Sequence, residues 1–258
     1  MIVDVNAHLG PFAFRRLRHQ SAESLLGLMD SRGIDVAFVS SAAAITHRNT
    51  QPANEDLADE ARPHPDRLVP FAVINPSYAG WEDDLSACVD LGFRGLRLYP
   101  NWHAYELTSG PCLDLVDRAT ERRMILSLPI RVEDPRQQSW LVDVPDVPLD
   151  RVAALVAARP GARFHLVNGR GYVGSPLGRK DGGLPDNYRI DLARLDVLLR
   201  DEVETLLDSL GPDRLLFGTG IPFQYPDPTL AKIDVLDPPP EVRERILSRN
   251  AMEWLDGP

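Results

Sequence analysis

The sequence predicts a single-domain α/β protein, a (β/α)8 TIM-type barrel over residues 1–258. Eight short apolar or β-branched runs alternate with longer helical patterns, an order that predicts parallel strands joined by right-handed crossovers. A chain of 258 residues, 43 % of them hydrophobic, has the length of one such barrel and enough apolar side chains for one large core. The alternative is an open doubly wound sheet, which usually carries a GxGxxG turn after its first strand. The sequence NAHLGPF at that place does not match.

The predicted elements follow one another in a regular order. The strands cover residues 2–6, 34–41, 68–76, 93–100, 124–131, 163–168, 188–192 and 215–218. The helices cover residues 21–32, 54–62, 81–91, 112–123, 149–159 and 201–210. In the third helix apolar Trp81 and Leu85 are interleaved with acidic residues such as Asp83, the pattern of an amphipathic helix. A glycine follows three of the helices, as is typical of helix ends: Gly33, Gly92 and Gly211.

Composition and charge argue against several classes of protein. The formal net charge of −10 opposes binding to nucleic acid, which needs a basic surface. No apolar run approaches the roughly 18 residues that span a membrane, and the start, MIVDVNAHLG, lacks the features of a signal peptide. Cys88 and Cys112 are too few for a disulfide framework, so we expect a reducing cytoplasm. The sequence leaves a homodimer open.

Two connecting segments are candidates for parts of a functional site. Residues 169–187, rich in glycine and proline, are expected to form a long loop over the mouth of the barrel, where such loops often act as lids. Residues 11–19, PFAFRRLRH, follow the first strand. Their arginines either close the mouth or coat the surface.

The chemistry of such a barrel is found at the C-terminal ends of its strands. Alternation along the fourth strand places Leu96 and Leu98 against the helices. It turns Arg97 and Tyr99 towards the barrel axis, and the same pattern turns Arg131 inwards at the end of the fifth strand.

Two inward arginines at one mouth are costly to bury unless an opposite charge lies beside them. Acidic residues that could supply this charge are Glu133, Asp134 and Asp191. Otherwise an anionic ligand supplies it, because the rigid fork of arginine suits a carboxylate or a phosphate. A small-molecule anionic substrate is therefore the expected partner. The predicted substrate-binding residues at or after the strand ends are Arg97, Tyr99, His103, Arg131, Asp134, Arg170 and Asp191.

Several segments follow a family pattern in order. They are IVDVNAHLG, HPDRLVPFAVINP, LGFRGLRLYP, RRMILSLPI, ARFHLVNG, DRLLFGTGIPF and the closing ILSRNAMEWL. Their order and spacing resemble the amidohydrolase-related family (amidohydrolase 2) of the metal-dependent hydrolase superfamily. The resemblance covers nearly the whole chain and implies a distorted (β/α)8 barrel with metal-dependent chemistry at the strand ends.

The metal ligands that this resemblance implies are largely replaced. In the family they are two histidines on the first strand, usually a histidine on strand five or six, and an aspartate on strand eight. Of these His8 is retained. The other positions hold Asn6, Pro129, Asn168 and Gly220. Because zinc or iron needs three or four imidazole or carboxylate ligands, we expect no metal and no other cofactor.

The polar residues that remain at the mouth have two interpretations each. His8 is either a general acid or base or a hydrogen-bonded core residue. Asn6 and Asn168 either polarise a substrate carbonyl or satisfy one another. His103 shares the proton transfer or lies on the surface. His165, opposite in alternation to the sixth-strand asparagine, is expected to pack against a helix.

Two hypotheses of function follow. The preferred one is a metal-independent hydrolase, or a lyase or decarboxylase-like relative, that acts on a small carboxylate-bearing substrate with His8, Asn6 and Asn168 as catalytic residues. The alternative is a catalytically silent barrel that binds a small ligand or a partner subunit. An enclosed pocket that holds His8 with Arg97 and Arg131 would favour the enzyme. A mouth filled by side chains would favour the silent barrel.

Overall fold

Eight parallel strands form a nearly closed barrel in the computed structural model, which describes residues 1–257. They are β1 (Val3–Leu9), β2 (Val36–Ser41), β3 (Leu68–Val73), β4 (Gly95–Arg97), β5 (Ile125–Pro129), β6 (Phe164–Val167), β7 (Tyr188–Asp191) and β8 (Leu215–Leu216). Each strand pairs with the next in chain order. Backbone hydrogen bonds from Val5 N to Phe217 O (3.0 Å) and from His8 N to Ile221 O (2.8 Å) join β1 to the segment after β8. The predicted (β/α)8 fold and all eight predicted strands are confirmed.

Helices cover the outside of the sheet. They are α1 (Ala22–Asp30), α2 (Gln51–Ala61), α3 (Trp81–Asp90), α4 (Pro100–His103), α5 (Gly110–Glu121), α6 (Leu149–Ala158), α7 (Glu202–Leu210), α8 (Asp227–Leu236), α9 (Pro240–Glu244) and α10 (Asn250–Asp256). All six predicted helices are present. The sequence pattern missed α8 because its apolar residues do not gather on one face. No helix among residues 1–257 is long and apolar enough to cross a bilayer.

On β4 and β5, successive side chains alternate between the outside and the inside of the barrel, as predicted. Leu96 and Leu98 pack in the apolar layer between sheet and helices, as does Leu128. Arg97 and Ser127 point to the inside, where they are hydrogen-bonded to each other. Below them, towards the N-terminal ends of the strands, an inner cluster of apolar side chains fills the barrel.

His165 packs against a helix, as predicted, but it does so from inside the barrel, so the outward facing implied by its alternation with Asn168 is wrong. Its ring stacks on Phe38 with centroids 6.0 Å apart and on Trp254 of α10 at 5.3 Å. The prediction assumed regular alternation up to Asn168. That residue has a left-handed backbone with φ 60°, so the alternation ends at Val167, which faces inwards like His165.

Residues 169–187 take the place of a helix between β6 and β7, so the predicted loop over the mouth is wrong. Two short turns of this segment pack against α6 and α7. Tyr172 and Leu177 are buried in the apolar layer between sheet and helices. Ser209 of α7 donates a hydrogen bond to the carbonyl oxygen of Gly178 at 2.7 Å. A few apolar side chains therefore hold this segment in the helix layer, although its composition is typical of a free loop.

Candidate functional site

Arg97 lies fully buried inside the barrel. Its guanidinium donates hydrogen bonds to the carbonyl oxygens of Ala7 (2.9 Å) and Val5 (3.0 Å), and its Nε donates to Ser127 Oγ (3.2 Å). The strand pairing of β1 shifts register between Asp4 and Ala7, which leaves carbonyl oxygens there for the guanidinium. Neither predicted role, ion pair or anchor for a ligand, describes this residue. Backbone carbonyls supply the acceptors instead.

His8 and Tyr99 extend this buried network. His8 Nε2 lies 3.2 Å from Arg97 Nη1 and 3.0 Å from Tyr99 Oη. Since a guanidinium only donates, Nε2 acts as an acceptor and the ring proton is on Nδ1. Burial, and next the charge of Arg97, hold the pKa of His8 well below its usual value. At neutral pH the imidazole is therefore uncharged and its accepting nitrogen is occupied, whereas the Nδ1 donor is buried without a hydrogen-bond partner among the described residues.

Two buried carboxyl groups lie beside the asparagines that replace metal ligands. Asp191 accepts hydrogen bonds from Asn6 Nδ2 (3.1 Å) and Asn168 N (2.8 Å), and burial raises its pKa to about 6. Asp4 accepts from the backbone nitrogens of Asn6 (2.9 Å) and Thr219 (3.0 Å), and burial raises its pKa to about 7. Our sequence reasoning missed Asp4. The available signal was a lone carboxylate inside an apolar first strand.

The side chain of Asn168 has no hydrogen-bonding capacity left for a ligand. Its Oδ1 accepts from Arg194 Nε (3.1 Å) and Gln224 Nε2 (2.7 Å). Its Nδ2 donates to the carbonyl oxygens of Arg131 (2.9 Å) and Val132 (3.1 Å). A carboxamide offers two donor hydrogens and two acceptor lone pairs, and all four are used.

The residues at the family's metal positions do not fit a divalent metal. Among residues 1–257, no three side chains of histidine, cysteine, aspartate or glutamate are grouped to hold one. Gly220, at the position of the family's aspartate, has φ 79°. A Cβ added there would lie 2.5 Å from Gln224 Nε2. The amide of Gln224 thus occupies the space beside this glycine, and the remaining donors are one uncharged histidine and two amides.

Arg97 and Arg131 do not share a pocket, so the predicted convergence of the two arginines is wrong. Arg131 is hydrogen-bonded to Asp146. Together with Tyr99 it lines a cavity of about 20 Å³, which has room for about one water molecule. The backbone of β5 ends at Pro129, and beyond it Arg131 turns towards the β5–α6 connection rather than the barrel axis.

The predicted acidic partners serve other arginines. Asp134 Oδ2 lies 3.0 Å from Arg194 Nη1, and Asp134 Oδ1 lies 3.0 Å from Arg136 Nε. Hydrogen bonds from Arg136 and then Arg194 hold the pKa of Asp134 well below its usual range. Glu133 pairs with Arg15 at 2.7 Å. No sequence pattern singles out these three arginines, because their positions depend on how the loops fold back over the mouth.

Two further predicted residues lie apart from this network. His103, at the end of α4, donates from Nε2 to the carbonyl oxygen of Ala44 at 3.1 Å, and burial lowers its pKa. It is buried, so the predicted surface position is wrong, and it is not hydrogen-bonded to His8. Arg170 is exposed at the start of the segment that packs on the outer helices.

Four aromatic side chains close the mouth above His8, and we call them the aromatic plug: Phe12, Phe14, Trp102 and Phe223. They follow the C-terminal ends of β1, β4 and β8. The ring centroids of Phe12 and Phe223 are 4.9 Å apart, and Phe223 contacts His8 at 5.0 Å. Phe12 and Phe223 are buried. Apolar residues of the 11–19 segment thus close the mouth, and Arg15 of the same segment lies over the Phe223 ring at 5.7 Å and donates to the Phe223 carbonyl oxygen at 2.8 Å.

Outside the plug lies an open cleft of about 600 Å³. One wall is the 11–19 segment and the other is the loop that follows β8. We call it the arginine cleft after the residues that distinguish it, which are Arg15, Arg16, Arg18, Arg32, Arg136 and Arg194. Phe223 of the plug separates it from His8.

The fold and the strand-end residues define a (β/α)8 barrel with a mouth closed by its own side chains. The chain belongs to the amidohydrolase family, since the family model (amidohydrolase 2) matches residues 3–148 and 195–257. The resemblance seen in the sequence is confirmed. No curated protein matches the sequence significantly.

Solved structures share the fold over the whole chain. The 2,6-dihydroxybenzoate decarboxylase from Rhizobium is 20 % identical with a TM-score of 0.74, covering 99 % of this chain and 98 % of its own. The 5-carboxyvanillate decarboxylase from Sphingomonas paucimobilis is 13 % identical with a TM-score of 0.73 over 99 % and 98 %. A dihydroxybenzoic acid decarboxylase from Polaromonas, with bound manganese and an inhibitor, is 17 % identical with a TM-score of 0.74 over 99 % and 96 %.

Proposed function

We propose that this chain is a catalytically silent member of the amidohydrolase family that binds a small carboxylate-bearing molecule. The saturated side chain of Asn168 carries the proposal, because a residue that polarises a substrate needs a free donor. The neutral His8 and the plug above it add support, since a general acid or base must reach its substrate. Solved relatives named as decarboxylases of aromatic acids suggest the carboxylate.

We expect the purified protein to hold far less than one zinc, iron or manganese per chain. The reason is the donor set, in which one imidazole and two amides stand where a metal needs three or four imidazole or carboxylate ligands. Elemental analysis after growth in metal-supplemented medium measures this. A ratio near one metal per chain in the unmodified protein would contradict the proposal. This holds whether or not a His8→Ala variant keeps the metal.

Binding is tested by thermal unfolding with a panel of small mono-, di- and tricarboxylates. A ligand at 100 times its Kd adds about 2.7 kcal/mol to stability, which raises the Tm of a protein of this size by roughly 5–10 °C. The neutral amides of the same acids are the matched controls and should leave the Tm unchanged. If no acid shifts the Tm, or the amides shift it equally, the proposed binding function is wrong.

A metal-independent hydrolase or lyase is the second candidate, favoured by the two buried carboxyl groups. Asp4, with its pKa at about 7, and Asp191, at about 6, are poised to exchange protons near neutrality. This candidate requires the plug to open. The assay measures release of carbon dioxide from the panel acids and of alcohol from their esters. If either product is released and Asp191→Asn abolishes the release, this candidate replaces the first proposal.

A further inference from the structure

The arginine cleft carries excess positive charge on an acidic protein. Six arginines line it. Three carboxylates neutralise part of this charge. Glu133 pairs with Arg15 at 2.7 Å, Asp227 pairs with Arg32 at 2.8 Å, and Asp134 is shared by Arg136 and Arg194. Three cationic charges therefore lack a carboxylate, although the whole chain has a net charge of −10.

Arg16 and Arg18 supply two of these charges at the open side of the cleft. Both are exposed, and neither forms an ion pair with any of residues 1–257. They are held by a segment that is fixed by the buried side chains of Phe12 and Leu17 and closed by a hydrogen bond from Gly10 N to Gln20 O at 2.7 Å. Their charges are thus presented at a defined place, and a site of this kind attracts anions from solution.

Arg194 lies deeper, and its side chain is only 7 % exposed. Nε donates to Asn168 Oδ1 at 3.1 Å and Nη1 to Asp134 Oδ2 at 3.0 Å. Nη2 is buried without a hydrogen-bond partner among the described residues. A buried donor without an acceptor is costly, so an anionic oxygen at this end of the cleft would stabilise the protein.

The dimensions and rim of the cleft suit a small molecule. Its volume of about 600 Å³ lies within the range of sites for small ligands. Tyr225, 75 % exposed, stands at the edge, where its ring can cover the carbon skeleton of a ligand. The arginines that line the cleft come from separate segments of the chain, and their guanidinium forks suit carboxylate and phosphate groups alike.

We propose that the arginine cleft is the ligand site of this chain and that its ligand is a small molecule with two or three negative charges on carboxylate or phosphate groups. This inference rests on the proposed binding function and adds to it the place of the site and the charge of the ligand. The site lies outside the barrel mouth, and the plug separates it from the residues at the former metal positions.

Titration calorimetry of the full chain with citrate, pyrophosphate and acetate at low ionic strength tests the inference. We expect citrate or pyrophosphate to bind at least about 10-fold more tightly than acetate, because several charge-assisted hydrogen bonds form with a multivalent anion. Binding of citrate alone identifies a polycarboxylate, and binding of pyrophosphate alone identifies a phosphate-bearing ligand. Failure of both to bind overturns the inference.

The Arg16→Gln/Arg18→Gln double variant locates the site. Both side chains are exposed and without ion pairs, so the variant should fold normally and bind the anion at least about 10-fold more weakly. The matched control, Arg179→Gln/Lys180→Gln, removes the same charge from an exposed stretch outside the cleft. It should stay within about 2-fold of the unmodified protein, since surface charges at a distance are screened.

Unchanged affinity in the cleft variant, or an equal loss in the control, overturns the inference. These results differ from failure of the proposed function. If carboxylates of the thermal-unfolding panel still bind while the cleft variants have no effect, the binding function stands and only its location is wrong. If no acid binds in either assay, both proposals fall.

Discussion

Replacing Arg97 with methionine is expected to lower the free energy of unfolding by about 4 kcal/mol or more. The substitution removes the hydrogen bonds to the carbonyl oxygens of Val5 and Ala7 and to Ser127. Methionine fills a similar volume but donates nothing, and each buried acceptor left without a donor costs about 1–3 kcal/mol. Urea unfolding followed by circular dichroism measures the loss.

Arg131→Met is the matched control for this substitution. Arg131 pairs with Asp146, whose side chain is 43 % exposed, and pairs near the surface contribute about 1 kcal/mol or less. Arg97→Lys keeps the charge with fewer donors and should give an intermediate loss. Equal losses in the two methionine variants would show that the buried arginine does not hold the centre of the barrel together.

Asp4→Asn is expected to gain stability relative to the unmodified protein as the pH rises. Burial raises the pKa of Asp4 from 3.8 to about 7. Between these values the folded protein holds a proton that the unfolded chain releases, so the unmodified protein loses stability as the pH rises through this window. Asparagine does not titrate. The difference in unfolding free energy, variant minus unmodified protein, should therefore rise by about 4 kcal/mol between about pH 4 and about pH 8.

Asp191→Asn provides the comparison on the other buried carboxyl group. Burial raises the pKa of Asp191 only to about 6, so the rise should be smaller, about 2 kcal/mol, and complete by about pH 7. Burial lowers the pKa values of His8 and His165, which costs stability at acid pH. That loss is common to all three proteins and cancels in the differences. Differences that stay constant with pH, or that fall as it rises, would contradict the raised pKa values.

The interior of this barrel can be explained as a set of linked substitutions. Asn6 and Asn168 place amides where the family places histidines, and Asp191 binds both of them. Gln224 then reaches Asn168 across Gly220, where an aspartate side chain would be in its way. Each of these contacts is a hydrogen bond within the chain. The polar strand ends are thereby joined in one hydrogen-bonded network.

Local pattern was sufficient for the eight strands, for six of the helices and for the facing of regular strands. The alternation of Leu96, Arg97 and Leu98 predicted which side chains point inwards, because successive residues of a strand face opposite sides. It failed at Asn168, whose left-handed backbone ends the alternation. It also failed for Leu177, since the apolar contacts that hold this residue are made with α6 and α7, far away in sequence.

Residue types in a fixed order were enough to predict the barrel and the family. The contacts at the mouth required the three-dimensional structure. Whether Arg97 meets a carboxylate, a ligand or a backbone carbonyl depends on the register shift in β1. Whether Arg16 and Arg194 line one cleft depends on the folding of two loops that lie far apart in the chain. Strand order follows from local periodicity, whereas the partner of a buried charge is set by three-dimensional distances that no sequence period encodes.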